Sequence, residues 1–146
     1  LVIPLAWSMM AYPCLLAAQR LSTTGLGTAL IGGWLLAAWD LFLDPQMVGE
    51  GYWRWARVGR YRGIPFSNFA GWFVTSLAVM AALEVALPAD RAADPELVAE
   101  YATMAGMETL GFAAFFRDRV VAAVGGAAML PVTVLAVRAA WRTSHG

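Results

Sequence analysis

Asp40 and Asp44 stand four residues apart at the end of an uncharged run. On a helix that spacing puts both carboxyls on one face. Two such carboxyls titrate as a coupled pair, so one can hold a proton while the other accepts one. The same Asp-Leu-Phe-Leu-Asp spacing also suits two oxygen ligands for Mg²⁺ and a diphosphate. A carboxyl at or below a membrane interface is costly and by default marks function, and Asp40 closes the apolar stretch Leu21–Trp39. Asp44 precedes Pro45, a pairing that also suits the cap and first position of an interfacial helix. Glu50 has Arg54 one helical turn later as an ion-pair partner. Asn68 lies just inside a later apolar run, where an amide either bridges helices or holds a water. Glu108 is the reserve acid, set mid-segment.

Rings crowd the same stretch: Trp39, Tyr52, Trp53, Trp55 and Tyr61. Trp and Tyr at a membrane edge form an anchoring belt, and some of these rings are also candidates for lining a pocket. Arg54, Arg57, Arg60 and Arg62 either solvate the segment or meet lipid headgroups.

The elements that must position these groups are apolar helices. Uncharged runs at Leu1–Gln19, Leu21–Trp39, Gly63–Leu83 and Val120–Val137 each approach the roughly 20 residues needed to cross hydrocarbon. Tyr101–Phe116, extended back through Leu97, makes a fifth helix with a polar face turned to protein. The expected fold is all-α, a polytopic transmembrane bundle of about five helices. It is one membrane domain over 1–146, with an interfacial loop at 44–62 and an acidic solvent loop at 88–100. Five crossings place six arginines at one end and four at the other, which slightly favours a cytoplasmic 44–62 loop. The chain opens at Leu1 inside an apolar stretch, which reads as the C-terminal part of a longer protein.

Composition narrows the chemistry. Of 146 residues, 60% are hydrophobic and 14% charged, and a soluble domain of this size has too little interior for that much apolar surface. Net charge is +0, which gives nucleic acid no purchase. There is no lysine, Cys14 is the lone cysteine and His145 the lone histidine. Schiff-base chemistry, zinc clusters, serine–histidine catalysis and a His-rich di-iron centre built from this chain are thereby excluded.

The stretch WDLFLDPQMVGEGYWRW followed by GIPFSNFAGWF resembles the carotenoid biosynthesis membrane protein family, whose members include carotenoid 1,2-hydratases of the bisanhydrobacterioruberin hydratase kind. The opening IPLAWSMMAYP resembles that family's preceding helix, so the similarity runs over roughly 3–75 and is sharpest between Trp39 and Trp72. The resemblance implies addition of water across the terminal C1=C2 bond of an acyclic carotenoid, with no redox cofactor and no metal.

The roles that reaction needs can be laid on the residues. An isolated alkene is a weak base and requires a strong, well-placed acid. A carboxyl withdrawn from water favours its neutral form, and an aromatic face stabilises a nearby cation. The expected catalytic set is Asp40 as proton donor, Asp44 as its partner, with Glu50, Asn68 and Glu108. Trp39, Tyr52, Trp53, Trp55 and Trp72 are the expected substrate-binding rings. Expected partners are the carotenoid, membrane lipid and other carotenoid-pathway enzymes, with no nucleic acid, in a multi-pass protein of the cell membrane. The alternatives are an intramembrane prenyltransferase, a carotenoid cyclase subunit and a non-enzymatic membrane protein.

Overall fold

A computed structural model describes residues 2–87 and 95–144. The elements in chain order are α1 (Val2–Leu21), α2 (Gly25–Gly49), α3 (Phe66–Ala86), α4 (Pro95–Leu110), a π-helical turn at Gly111–Phe115 that continues α4, and α5 (Arg119–Ser144). Among the described residues there is no strand. Two isolated antiparallel bridges, Gly59 with Gly63 and Tyr61 with Ile64, close a small hairpin. The all-α fold with five helices is therefore as expected. Three stretches are long and apolar enough to cross a membrane: α2, α3 and Arg119–Arg142 of α5.

Two boundaries differ from the sequence reading. The helix that carries the aspartates does not stop at residue 44. α2 runs through Pro45 to Gly49, and the loop begins at Glu50. Pro45 has no N–H to give the carbonyl four residues back, which normally breaks or kinks a helix. Here the Tyr61 hydroxyl donates to that carbonyl, Leu41 O, at 2.8 Å, so the orphaned acceptor is satisfied and the helix continues. Asp44 is consequently an interior helical residue and not the cap of a separate interfacial helix. The second half of the expected 88–100 loop is likewise helical, because α4 starts at Pro95, and proline suits a first helical position. Residues 88–94, with Arg91, lie outside the described residues.

Ser22, Thr23 and Thr24 form the turn between α1 and α2, and the Thr24 hydroxyl caps α2 by accepting from Gly27 N at 3.1 Å. Gln19 near the end of α1 donates to Glu84 near the end of α3 at 2.9 Å. At the opposite end of the bundle, Arg62 of the hairpin pairs with Asp118 at 2.5 Å. Asp118 also caps α5, accepting from Val120 N and Val121 N at 3.1 Å each. Successive helices thus run up and down, with Arg54, Arg57, Arg60, Arg62, Arg117 and Arg119 at one end and Arg20, Arg138 and Arg142 at the other.

Helix α2 is the central member and packs against α1, α3 and α5, while α4 pairs with α5 and α1. Close approach is made by small residues. A side chain at Gly33 would meet the backbone of Leu77 on α3, and one at Gly125 of α5 would run into the Phe42 ring. Phe42 in turn lies 5.5 Å from Phe112 in the π-helical turn. The buried Tyr101 phenol is satisfied by the Leu35 carbonyl at 2.9 Å. α3 buries only Ser76 and Met80, so most of its apolar surface faces outward, as a membrane helix requires.

Candidate functional site

The site grows from one property of α2: its last three turns carry carboxyls that point into protein. Asp40 is 3% exposed and Asp44 is 2% exposed. Helical geometry puts them one turn apart on one strip. Burying a charged group this deeply is strongly unfavourable without partners. Asp44 has one: the Asn68 amide donates to its Oδ2, tying α2 to the first turn of α3. Asp40 keeps Oδ2 buried without a donor from the described residues. The two members of the pair therefore differ. One is held by an amide, and the other has an oxygen that no side chain engages.

The remaining candidates scatter. Trp39 is buried beside Asp40, with its indole directed to the half-buried Glu108 of α4 but short of hydrogen-bond geometry. Trp72 follows Asn68 by one helical turn and packs on Trp7 of α1, ring centroids 4.7 Å apart. Trp53 and Trp55 are half-buried in the loop with their indole N–H groups enclosed and unpaired. Glu50 is exposed at the C-terminal cap of α2, and Tyr52 is 74% exposed. The structure thus brings Asp40, Asp44 and Asn68 together, sets Trp39 and Glu108 on the α4 side, and leaves Glu50 and Tyr52 at the surface.

A quarter-turn around α2 from the carboxyls lies an apolar cavity of about 830 Å³. Its floor is Trp34, Ala37, Ala38 and Leu41 of α2, and its outer wall includes Phe69 and Phe73 of α3. The hairpin residues Arg60 and Tyr61 close its loop end. None of the expected catalytic residues lines it, and of the rings offered for a belt or a pocket only Tyr61 does. At about 100° per residue, Asp44 sits about 60° and Asp40 about 100° round the helix from Leu41. The carboxyl strip and the cavity are thus neighbours on one helix at one depth.

Tyr61 joins the two regions. Its ring lines the cavity and meets Phe69 edge-on at 5.6 Å, while its hydroxyl holds Leu41 O between the aspartates. Burial, and then the charge of Asp118, push the phenol up to about 12, against the opposing pull of Arg62. It stays a hydrogen-bond donor throughout the physiological range. Sequence reasoning offered Tyr61 as a belt ring or a pocket-lining ring, and it lines the cavity; its hydrogen bond to Leu41 O was not foreseen, although the carbonyl orphaned by Pro45 was a signal that some donor must arrive.

A family model described as carotenoid biosynthesis protein matches residues 1–138. The chain belongs to this carotenoid biosynthesis family. The match continues well past Thr75, where the motif resemblance faded, and takes in α1 to α4 and most of α5. No curated protein and no solved structure matches the chain. Membership in a carotenoid biosynthesis family and a set of membrane-length helices agree with an apolar cavity facing outward from the bundle.

Proposed function

We propose that this chain is a carotenoid hydratase, a multi-pass protein of the cell membrane that adds water across the terminal C1=C2 bond of an acyclic carotenoid. The observation that carries the reading is the buried Asp40–Asp44 pair, in which Asn68 holds one carboxyl and the other retains an unengaged oxygen. The family membership supplies the substrate class.

The reaction balances on these groups alone. Asp40, in its acid form, gives its proton to C2, and the π electrons of the alkene form the new C–H bond. A tertiary cation remains at C1. Water attacks C1, and the proton it sheds passes to Asp44, the anionic partner. Return of that proton to Asp40 restores the starting pair, and the product is a tertiary alcohol. Asn68 orients Asp44 and does not itself transfer a proton. Trp39, next to Asp40, offers a ring face to the cation. Glu108 is the reserve acid on the Trp39 side.

The test is expression of the full-length gene in cells that make lycopene-type carotenoids, with mass spectrometry of the pigments. The expected product gains one water, and Asp40→Asn abolishes it while the protein still inserts. Asp40→Glu keeps part of the activity, because the acid remains although displaced by one methylene. A ring without added oxygen would point to a cyclase subunit. Turnover that requires Mg²⁺ and a prenyl diphosphate would point to a prenyltransferase. Unchanged pigment would leave a non-enzymatic membrane protein.

A further inference from the structure

The 830 Å³ cavity is not isolated. A second apolar cavity of about 550 Å³ lies further along the same side of α2, and both are lined by Trp34 and Phe73. This pair forms an edge-to-face contact with ring centroids 6.5 Å apart. The second cavity extends past it to Leu30 of α2 and Leu135 of α5. Its cause is the packing pattern. α3 and α5 both lie against α2 but hardly touch one another, so a cleft stays open between them with α2 as its floor. Trp34 is held upright in that floor by its indole N–H, which donates to Ala128 O of α5 at 2.9 Å, in the turn that Pro131 loosens.

We propose that the two cavities are one continuous groove that binds the straight polyene chain of the carotenoid lengthwise. Its end group sits at the Leu41–Tyr61 end and the conjugated chain passes across the open side of the Trp34–Phe73 pair. The proposal rests on the hydratase reading for the choice of a carotenoid, and it adds where the substrate lies and which way it points.

Dimensions support a rod. From Leu30 to Leu41 on α2, and from Val124 to Leu135 on α5, the floor and wall each extend about 16 Å at roughly 1.5 Å per residue. A groove that long, straight because two helices define it, suits a rigid hydrocarbon better than a coiled one. Its walls are aromatic, with Phe69, Phe73 and Trp34 presenting rings to the space, and ring faces stack on a conjugated chain. Polarity supports the direction. The side-chain charge lining the groove is Arg60, at the hairpin end, and the carboxyl pair lies beside Leu41 at that end. An end group seated there lies a quarter-turn of α2 from the carboxyl pair, closer than at the Leu30 end.

Purified full chain in lipid nanodiscs, loaded with lycopene, tests the groove directly. Retained pigment is counted by absorbance, and seating is read by quenching of tryptophan fluorescence. Ala70 lines the groove from α3 and is open toward it, so Ala70→Trp fills the space without crowding the core. Retention should fall about tenfold, the loss expected when roughly two CH₂ groups lose their burial. Val74→Trp, on the outward face of α3, should retain lycopene normally. Trp34→Phe should weaken the quenching more than the retention. Normal retention and quenching in Ala70→Trp overturns the groove, whatever the hydration assay shows. Equal pigment retention in nanodiscs that lack the chain marks partition into lipid and also overturns it. Asp40→Asn should bind as the native chain does. If the groove variants behave as expected and the native chain still adds no water, the groove stands and the hydratase reading falls.

Discussion

Along the loop-side half of α2, Asp40 and Asp44 look into protein, while a quarter-turn away Ala37, Ala38 and Leu41 floor a cavity walled by hydrocarbon. The carboxyl face is closed. It is covered by neighbouring helices and tied across to Asn68. The cavity face is open, because α3 and α5 hardly touch one another over it. A single helix thereby keeps a carboxyl pair buried in protein and an apolar cavity open a quarter-turn away. The lesson is one of separation: polar groups that must not meet lipid need protein on every side, whereas a hydrocarbon ligand needs a face left uncovered.

The sharpest way to break this comparison is to strike each face alone. Asp40→Asn should lower hydration by roughly 100-fold to 10,000-fold, the usual contribution of a general acid, with lycopene retention unchanged. Ala70→Trp should do the reverse, lowering retention and sparing turnover of whatever substrate is bound at saturation. If both variants lose binding together, the two faces do not divide the work.

Support of the carboxyl face comes next. Asn68→Leu leaves the buried Asp44 without its donor and should destabilise the bundle by about 1–3 kcal/mol, read as a lower unfolding midpoint in detergent. The double variant Asp44→Leu with Asn68→Leu should recover much of that loss, because removing both polar partners avoids the unpaired group. No recovery would mean that Asp44 is held by more than Asn68.

Tyr61 is the joint between the faces, and its removal should matter less. Tyr61→Phe keeps the ring that lines the cavity but leaves Leu41 O unsatisfied beside Pro45. The expected cost is about 0.5–1.5 kcal/mol, with faster hydrogen exchange confined to the α2 turns around Pro45. Exchange that stays native would show that the helix tolerates proline there unaided.

The smallest effect belongs to the tether of the hairpin. Desolvation is the largest single influence on Asp118 and opposes its ionisation, but the backbone N–H of Val121, the Arg62 guanidinium and the N–H of Val120 together outweigh it and hold the carboxyl below its usual range. The stabilisation is therefore complete above the unfolded value of about 4 and fades as pH falls through the lower folded value. Asp118→Ala loses both cap and pair, at about 1 kcal/mol, and should flatten that acid limb. Arg62→Ala loses only the exposed pair, at less than about 1 kcal/mol.

How much of this was legible depends on the range over which each feature is decided. Uncharged runs near membrane length named the helices, and i, i+4 spacing put Asp40 and Asp44 on one strip, because helical periodicity is a local property. The run of Asp, Pro, Gly and Trp around residues 39–72 pointed to the carotenoid biosynthesis family from one stretch of chain. The end of α2 was misjudged, because the donor that rescues the turn before Pro45 arrives from Tyr61, beyond the helix. The acid pair's partner was also beyond local reach. Asn68 could be seen as an amide in need of company, but the sequence does not say that Asp44 is that company. The groove was hidden most completely. Its lining residues, Trp34, Ala38, Phe69 and Phe73, lie in helices that are apolar all round, so no amphipathic stripe distinguishes a face toward lipid from one toward protein. Sequence by itself determined which segments are helical and which side chains share a strip. Only the packing of α3 and α5 on α2 decided which strip would be sealed and which left open, because that depends on side chains far apart in the chain filling, or failing to fill, the same space.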